Sequence, residues 1–120
     1  MKILIADDDP IMLRTLELKL KREGHQVITS SDGREALKEI ETCSADLIIT
    51  DIMMPFSSGL EIVAKVKNSG KNIPVIVLSA MGQENVVMEA FKLGADDYIT
   101  KPFSPNELSM RIKKLFPVVS

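Results

Sequence analysis

The chain has 120 residues and a mass of 13.3 kDa, the size of one ordinary domain that buries roughly two-thirds of the surface its unfolded form exposes. Seventeen acids against fifteen Lys and Arg give a net charge of -2, which excludes binding of nucleic acid or an anionic membrane through bulk basic charge. The single Cys43 excludes an internal disulfide, and no apolar run approaches the ~20 residues of a membrane span, so a single domain over 1–120 in a reducing, cytoplasmic setting is expected.

In chain order, the first apolar run, Lys2 to Ala6, predicts a strand that ends in Asp7, Asp8 and Asp9. Asp9 before Pro10 starts a helix, which Gly24 stops. Gln26 to Thr29 predicts a second strand, and Asp32 starts a second helix. The third strand, Leu47 to Thr50, runs into Asp51; Ser58, with Glu61 three residues on, starts a helix that ends at Gly70. The fourth strand, Ile73 to Leu78, leads to Ser79 and a helix closed by Gly94. The fifth, Tyr98 to Thr100, precedes Lys101, and Ser104-Pro105 with Glu107 predicts a capping box. In that last helix Leu108, Ile112 and Leu115 form a stripe that can pack on a sheet while Lys113 and Lys114 face water.

Two runs, Leu47-Ile48-Ile49 and Val75-Ile76-Val77-Leu78, are apolar at consecutive positions. Strands covered by helices on both faces read this way, so the alternation predicts an α/β fold with a parallel sheet. In such a sheet the ligand crevice lies at the carboxyl ends of the strands. The residues just past the apolar runs are Asp7, Asp8 and Asp9, then Asp51, Ser79 and Lys101, so acids, a hydroxyl and an amine converge on one edge.

Several carboxylates within a few ångströms repel one another unless a proton or a cation intervenes, and oxygen-only ligands favour a hard ion such as Mg²⁺. Asp9 is best read as a helix cap; Asp7 and Asp8, taken alone, fit attraction to a helix N-terminus as well as they fit a metal site. Asp51 ends an apolar strand without an obvious cap to make, which points to chemistry: it could ligate metal, act as a base or attack. Lys101 alone reads as a solvated loop lysine and Ser79 as a strand-end cap; their conjunction with the acids points to phosphoryl binding at a nucleophilic carboxylate.

The segments Ile3-Leu4-Ile5-Ala6-Asp7-Asp8-Asp9, Asp51-Ile52-Met53-Met54-Pro55 with Gly59, Val77-Leu78-Ser79-Ala80, Gly94-Ala95-Asp96-Asp97-Tyr98 and Thr100-Lys101-Pro102-Phe103 occur in this order from Lys2 to about Phe116. Together they resemble the receiver domain of two-component response regulators, of the chemotaxis-regulator type. The resemblance implies a flavodoxin-like, doubly wound sheet of five parallel strands in the order 2-1-3-4-5, flanked by five helices. It implies Asp51 as phosphoacceptor from the phosphohistidine of a sensor histidine kinase or phosphotransfer protein. Mg²⁺ would be held by Asp8 and Asp51 directly, by Asp7 through water and by the main-chain carbonyl of Met53. Ser79 would hydrogen-bond the phosphoryl group, Lys101 would pair with it, and the bond to Pro102 would be cis. Such a protein is a switch rather than an enzyme: Ser79 moves toward the phosphoryl group and Tyr98 turns inward behind it.

Met53 and Met81 sit where the family tunes water access, and neither thioether orients a water well, so slow self-dephosphorylation is expected. Ile11 and Arg14 are expected where a phosphodonor docks. Met88, Phe91, Lys92, Tyr98 and Met110 mark the face of the fourth helix, fifth strand and fifth helix that the family uses for a homodimer or an output domain. An aspartate-dependent phosphohydrolase, with Asp7 as nucleophile and Asp9 as acid, is the rival reading; a flavin or nucleotide module lacks a glycine- or hydroxyl-rich loop after the first strand. His25 and Cys43 have no second ligand at metal-site spacing.

Overall fold

In the computed structural model, which describes residues 1–56 and 58–117, strands and helices alternate throughout. The elements are β1 (Lys2–Ala6), α1 (Pro10–Arg22), β2 (Gln26–Ser30), α2 (Gly33–Thr42), β3 (Leu47–Asp51), α3 (Gly59–Asn68), β4 (Val75–Ser79), α4 (Glu84–Leu93), β5 (Asp97–Thr100) and α5 (Pro105–Leu115). All pairings are parallel and the strand order is β2-β1-β3-β4-β5, the order that the resemblance implies.

Side chains alternate across each strand, so the sheet feeds two cores. Leu4, Ile48, Val75 and Val77 pack on one face with Ala36, Ile62, Val66 and Ala90 of α2, α3 and α4. Ile3, Ile5, Ile49, Ile76 and Leu78 pack on the other with Leu16 and Leu20 of α1 and Leu108 and Ile112 of α5. Burial of each such Leu or Ile contributes about 1.5–3 kcal/mol. Every residue of β3 and β4 is buried, which accounts for their unbroken apolar runs.

Local signals hold in most places. Asp9 accepts from the N–H groups of Ile11 and Met12, Asp32 from Glu35, and Ser104 from Glu107. Gly94, at φ 112°, caps α4 in the left-handed region that side chains avoid. Others differ. Ser58 stands at the start of α3 but makes no side-chain cap; its carbonyl accepts from Glu61 N–H at 3.1 Å. Glu107 faces Arg111 at 3.6 Å, one helical turn on. β4 begins at Val75 rather than Ile73, because Pro74 has no N–H to donate, although its carbonyl accepts from Ile48 at 3.0 Å. β3 and β4 extend one residue further than the apolar runs, so Asp51 and Ser79 lie within the ladders.

Gly59 opens α3 against the strand that carries Asp51. A Cβ there would lie 2.5 Å from the Asp51 carbonyl oxygen and 2.7 Å from Ile52 Cα, both backbone atoms that cannot give way alone. Gly59→Ala is therefore expected to cost about 1–3 kcal/mol, the range of overpacking, in urea unfolding. A wild-type midpoint would contradict this close approach.

Candidate functional site

The carboxyl ends of the strands bring Asp7, Asp8 and Asp51 together: one carboxylate oxygen from each lies within 4.8 Å of the others. Asp7 follows β1 and is wholly buried; its N–H donates to the Ser30 carbonyl at 3.1 Å, tying it to the end of β2. Asp51 ends β3, also buried, while Asp8 is exposed. Asp9 is separate, its side chain spent on the start of α1, so the acid that the phosphohydrolase reading requires is engaged as a cap.

Lys101 reaches into this cluster from the end of β5. Its Nζ donates to Asp7 Oδ2 at 3.0 Å and to Asp51 Oδ2 at 3.1 Å. The remaining oxygens accept main-chain N–H groups: Asp7 Oδ1 from Asp9 at 2.9 Å and Asp51 Oδ1 from Met53 at 3.4 Å. The lysine is thus partly buried rather than a solvated loop residue. Pro102 follows it through a cis peptide bond, as the resemblance implies.

Burial pushes the Asp51 carboxyl above the ordinary aspartate range, and the neighbouring Asp7 charge adds to the push; Lys101 and the Met53 N–H oppose it without cancelling it. Burial pulls the Lys101 ammonium down, but its hydrogen bonds and attraction to Asp7 and Asp51 outweigh that and hold it above an ordinary lysine. One partly buried cation facing three acids leaves an oxygen-only donor set with excess negative charge. That set fits a hard divalent cation.

Ser79 is buried at the end of β4, which pairs with β3 at Asp51↔Leu78 and with β5 at Ser79↔Thr100. Behind it a cavity of about 260 Å³ is lined by Ser79, Val87, Met88, Phe91, Tyr98 and Thr100. Tyr98 is 41% exposed and meets Phe91 edge to face at 5.7 Å, so its ring is not packed in the interior. Met53, Phe56 and Met81 are exposed in the loops after β3 and β4, and Ile11 is exposed at the start of α1. Arg14 pairs with Glu17 at 2.9 Å.

Sequence reasoning missed two features of the loops that follow β3 and β4. Phe56 takes a positive φ of 72° with Arg34 over its ring at 4.4 Å, and nothing in residue type announces either feature. Gln83, whose side chain holds the Ala80 N–H at 2.6 Å, carried no motif signal.

Comparisons with known proteins converge. Residues 3–113 match the family model described as response regulator receiver domain. The alkaline phosphatase synthesis transcriptional regulatory protein PhoP of Bacillus subtilis (strain 168) is 42% identical over 114 residues, 95% of this chain and 48% of that protein. Response regulator SaeR of Staphylococcus epidermidis is 44% identical over 118 residues, 98% of this chain and 51% of that protein. The chain thus spans about half the length of the curated relatives it matches. Among solved structures, a receiver domain of a Francisella response regulator superposes with a TM-score of 0.87 at 38% identity, covering 96% of this chain and 95% of that one. The response regulator TrrA of Thermotoga maritima, solved in complex with Mg²⁺ and BeF, gives 0.84 at 35% identity, covering 95% and 97%. Among the described residues no helix is long and apolar enough to cross a membrane.

The raised Asp51 carboxyl gives a pH dependence with a definite sign. Between the ordinary value of 3.8 and its folded value, the folded protein keeps a proton that the unfolded chain has released, so wild-type stability falls as pH rises through that window. Asp51→Asn removes the ionisation. Its melting temperature relative to wild type is expected to climb between pH 3.5 and pH 7; a pH-independent difference would contradict the raised value.

Proposed function

The chain belongs to the response regulator receiver domain family, and from that premise we propose that it is the phosphoacceptor of a two-component system, with Asp51 as the residue phosphorylated. The observation that carries this reading is Lys101 Nζ shared between Asp7 and Asp51 inside a cluster of three acids. An arrangement that only stabilised the fold would not need a third acid beside a pair already joined by one cation.

In the proposed reaction an Asp51 carboxylate oxygen attacks the phosphorus of a phosphohistidine on a sensor histidine kinase or phosphotransfer protein. The P–N bond breaks, its electron pair stays on the imidazole, which takes up a proton, and the phosphoryl group remains on Asp51 as an acyl phosphate. Such a transfer asks for positioning and charge neutralisation more than for acid or base groups. Lys101, already on Asp51 Oδ2, is placed to follow charge onto a phosphoryl oxygen, and the Ser79 hydroxyl donates to another. The Met53 N–H orients Asp51 through Oδ1. Asp8 and Asp51 would hold Mg²⁺ directly, Asp7 through water, and the Met53 carbonyl would complete the protein's ligands. When bound, the ion supplies positive charge that offsets the acids and the incoming phosphoryl oxygens. A Thermotoga maritima relative was solved in complex with Mg²⁺ and BeF, which supports Mg²⁺ as the ion.

The dianionic group is a local electrostatic event that needs a two-state element to read it. Ser79 moving toward the phosphoryl group, and Tyr98 turning from its exposed position into the cavity behind Ser79, form that element in this reading. The face it alters carries exposed Met88, Phe91, Tyr98 and Met110, and is proposed to engage a second copy or an output domain in the part of the relatives' length that this chain does not span. The protein acts in the cytoplasm as a switch, turns over no separate substrate, and contacts neither nucleic acid nor membrane through this domain.

With radiolabelled acetyl phosphate and Mg²⁺, label is expected on Asp51 and is lost in Asp51→Asn or with chelator. Label that persists in that variant, or maps to Asp7, would overturn the assignment. Exposed Met53 flanks the site, so Met53→Asn is expected to shorten the lifetime of the phosphorylated form by offering water a hydrogen-bonding partner. Unchanged decay would show that water access is set elsewhere.

A further inference from the structure

The hydrogen bonding after β4 is asymmetric. On the β5 side the ladder runs past the strand end, with Lys101 N–H donating to the Ser79 carbonyl at 2.7 Å. On the β3 side Ile52 N–H donates to the Leu78 carbonyl at 2.9 Å, and the next rung of a parallel ladder would run from Ala80 N–H to the Ile52 carbonyl. That carbonyl instead accepts from Gly59 N–H at 2.9 Å. Ala80 N–H, the first main-chain donor beyond Ser79 on the strand beside Asp51, goes to Gln83 Oε1 at 2.6 Å.

Gln83 holds this donor at the expense of the helix it begins. It stands at the N-cap of α4, yet its side chain caps none of the helix's own N–H groups. Its N–H donates to the Ala80 carbonyl at 3.3 Å and its carbonyl accepts from Val87 at 3.0 Å, so residues 80–83 close a small ring joining Ser79's neighbour to α4. The ring turns through Gly82 at φ 87°, with Met81 exposed at its tip.

We propose that Gln83 is a positioning residue of the phosphoryl site: its side-chain carbonyl occupies the Ala80 N–H in the unphosphorylated chain and yields that donor to the anionic group built on Asp51. This rests on the reading of Asp51 as phosphoacceptor. A phosphoryl oxygen accepts about twice as strongly as a neutral amide carbonyl, so the exchange favours the charged group once it is in place. Release of Gln83 opens the ring and frees the start of α4, linking occupancy of Asp51 to the helix that borders Tyr98.

The test uses fluoroberyllate with Mg²⁺ as a phosphoryl mimic, titrated against wild type, Gln83→Ala and Gln83→Glu. Removing the competing acceptor in Gln83→Ala is expected to tighten uptake by roughly 2- to 10-fold, the worth of one neutral hydrogen bond. A carboxylate at the same place competes better and repels the anion, so Gln83→Glu is expected to weaken uptake. In the free protein, hydrogen exchange at the Ala80 amide should quicken in Gln83→Ala and slow in Gln83→Glu. A merely structural role predicts weaker uptake in both variants. Equal affinities, or changes of the same sign, would overturn the role of Gln83 while leaving Asp51 as acceptor. Absence of uptake by wild type would overturn the phosphoacceptor reading and this inference with it.

Discussion

The ion pair that Lys101 makes with two buried carboxylates at once is the constraint on which the rest of this structure depends. Asp7 and Asp51 sit at the ends of adjacent strands, where the sheet brings their side chains within reach of each other and of Asp8. Without a cation, burial and mutual repulsion would favour protonating one of them. The ammonium that opposes this comes from β5, two strands away from β3, so the charge balance couples the first, third and fifth strands at one edge. The balance is incomplete, because one charge faces three, and the excess is what makes the pocket receptive to a metal cation.

The parts of the site visible in the sequence are those for which strand ends and residue types agree. An acid that closes the buried run Leu47-Ile48-Ile49-Thr50 has no packing reason to be there, and the alternation of runs places Asp7, Ser79 and Lys101 at the same edge. The character of Lys101 is less legible: nothing local separates a solvated loop lysine from one held at 3.0 and 3.1 Å by two carboxylates. The difference arises from contacts 94 and 50 residues away in the chain. Gly59 is similar. Its role as a close approach to the Asp51 backbone depends on how α3 leaves the sheet, whereas the sequence marks it only as one part of a longer motif.

Helix starts show where local signals fail. Asp9 and Asp32 cap as their types predict, because short acidic side chains reach the N–H groups two or three residues on. Ser58 sits at the same kind of position and makes no such bond, and Gln83 directs its amide backwards into the β4–α4 loop. Both lie in the loops at the end of the sheet that carries the acids, where backbone groups serve the site as well as the helices. Departure from local rule at such places is the usual mark of a functional edge. The same loops carry Met53, Phe56 and Met81, apolar side chains left in water around a charged pocket.

A double-mutant cycle on Lys101→Met and Asp51→Asn, followed by urea unfolding at neutral pH, tests the central claim most directly. If the shared ion pair restrains repulsion between buried acids, Lys101→Met costs less stability when Asp51 is already neutral, with a coupling of about 0.5–3 kcal/mol. Additivity of the two substitutions to within about 0.5 kcal/mol would contradict the account.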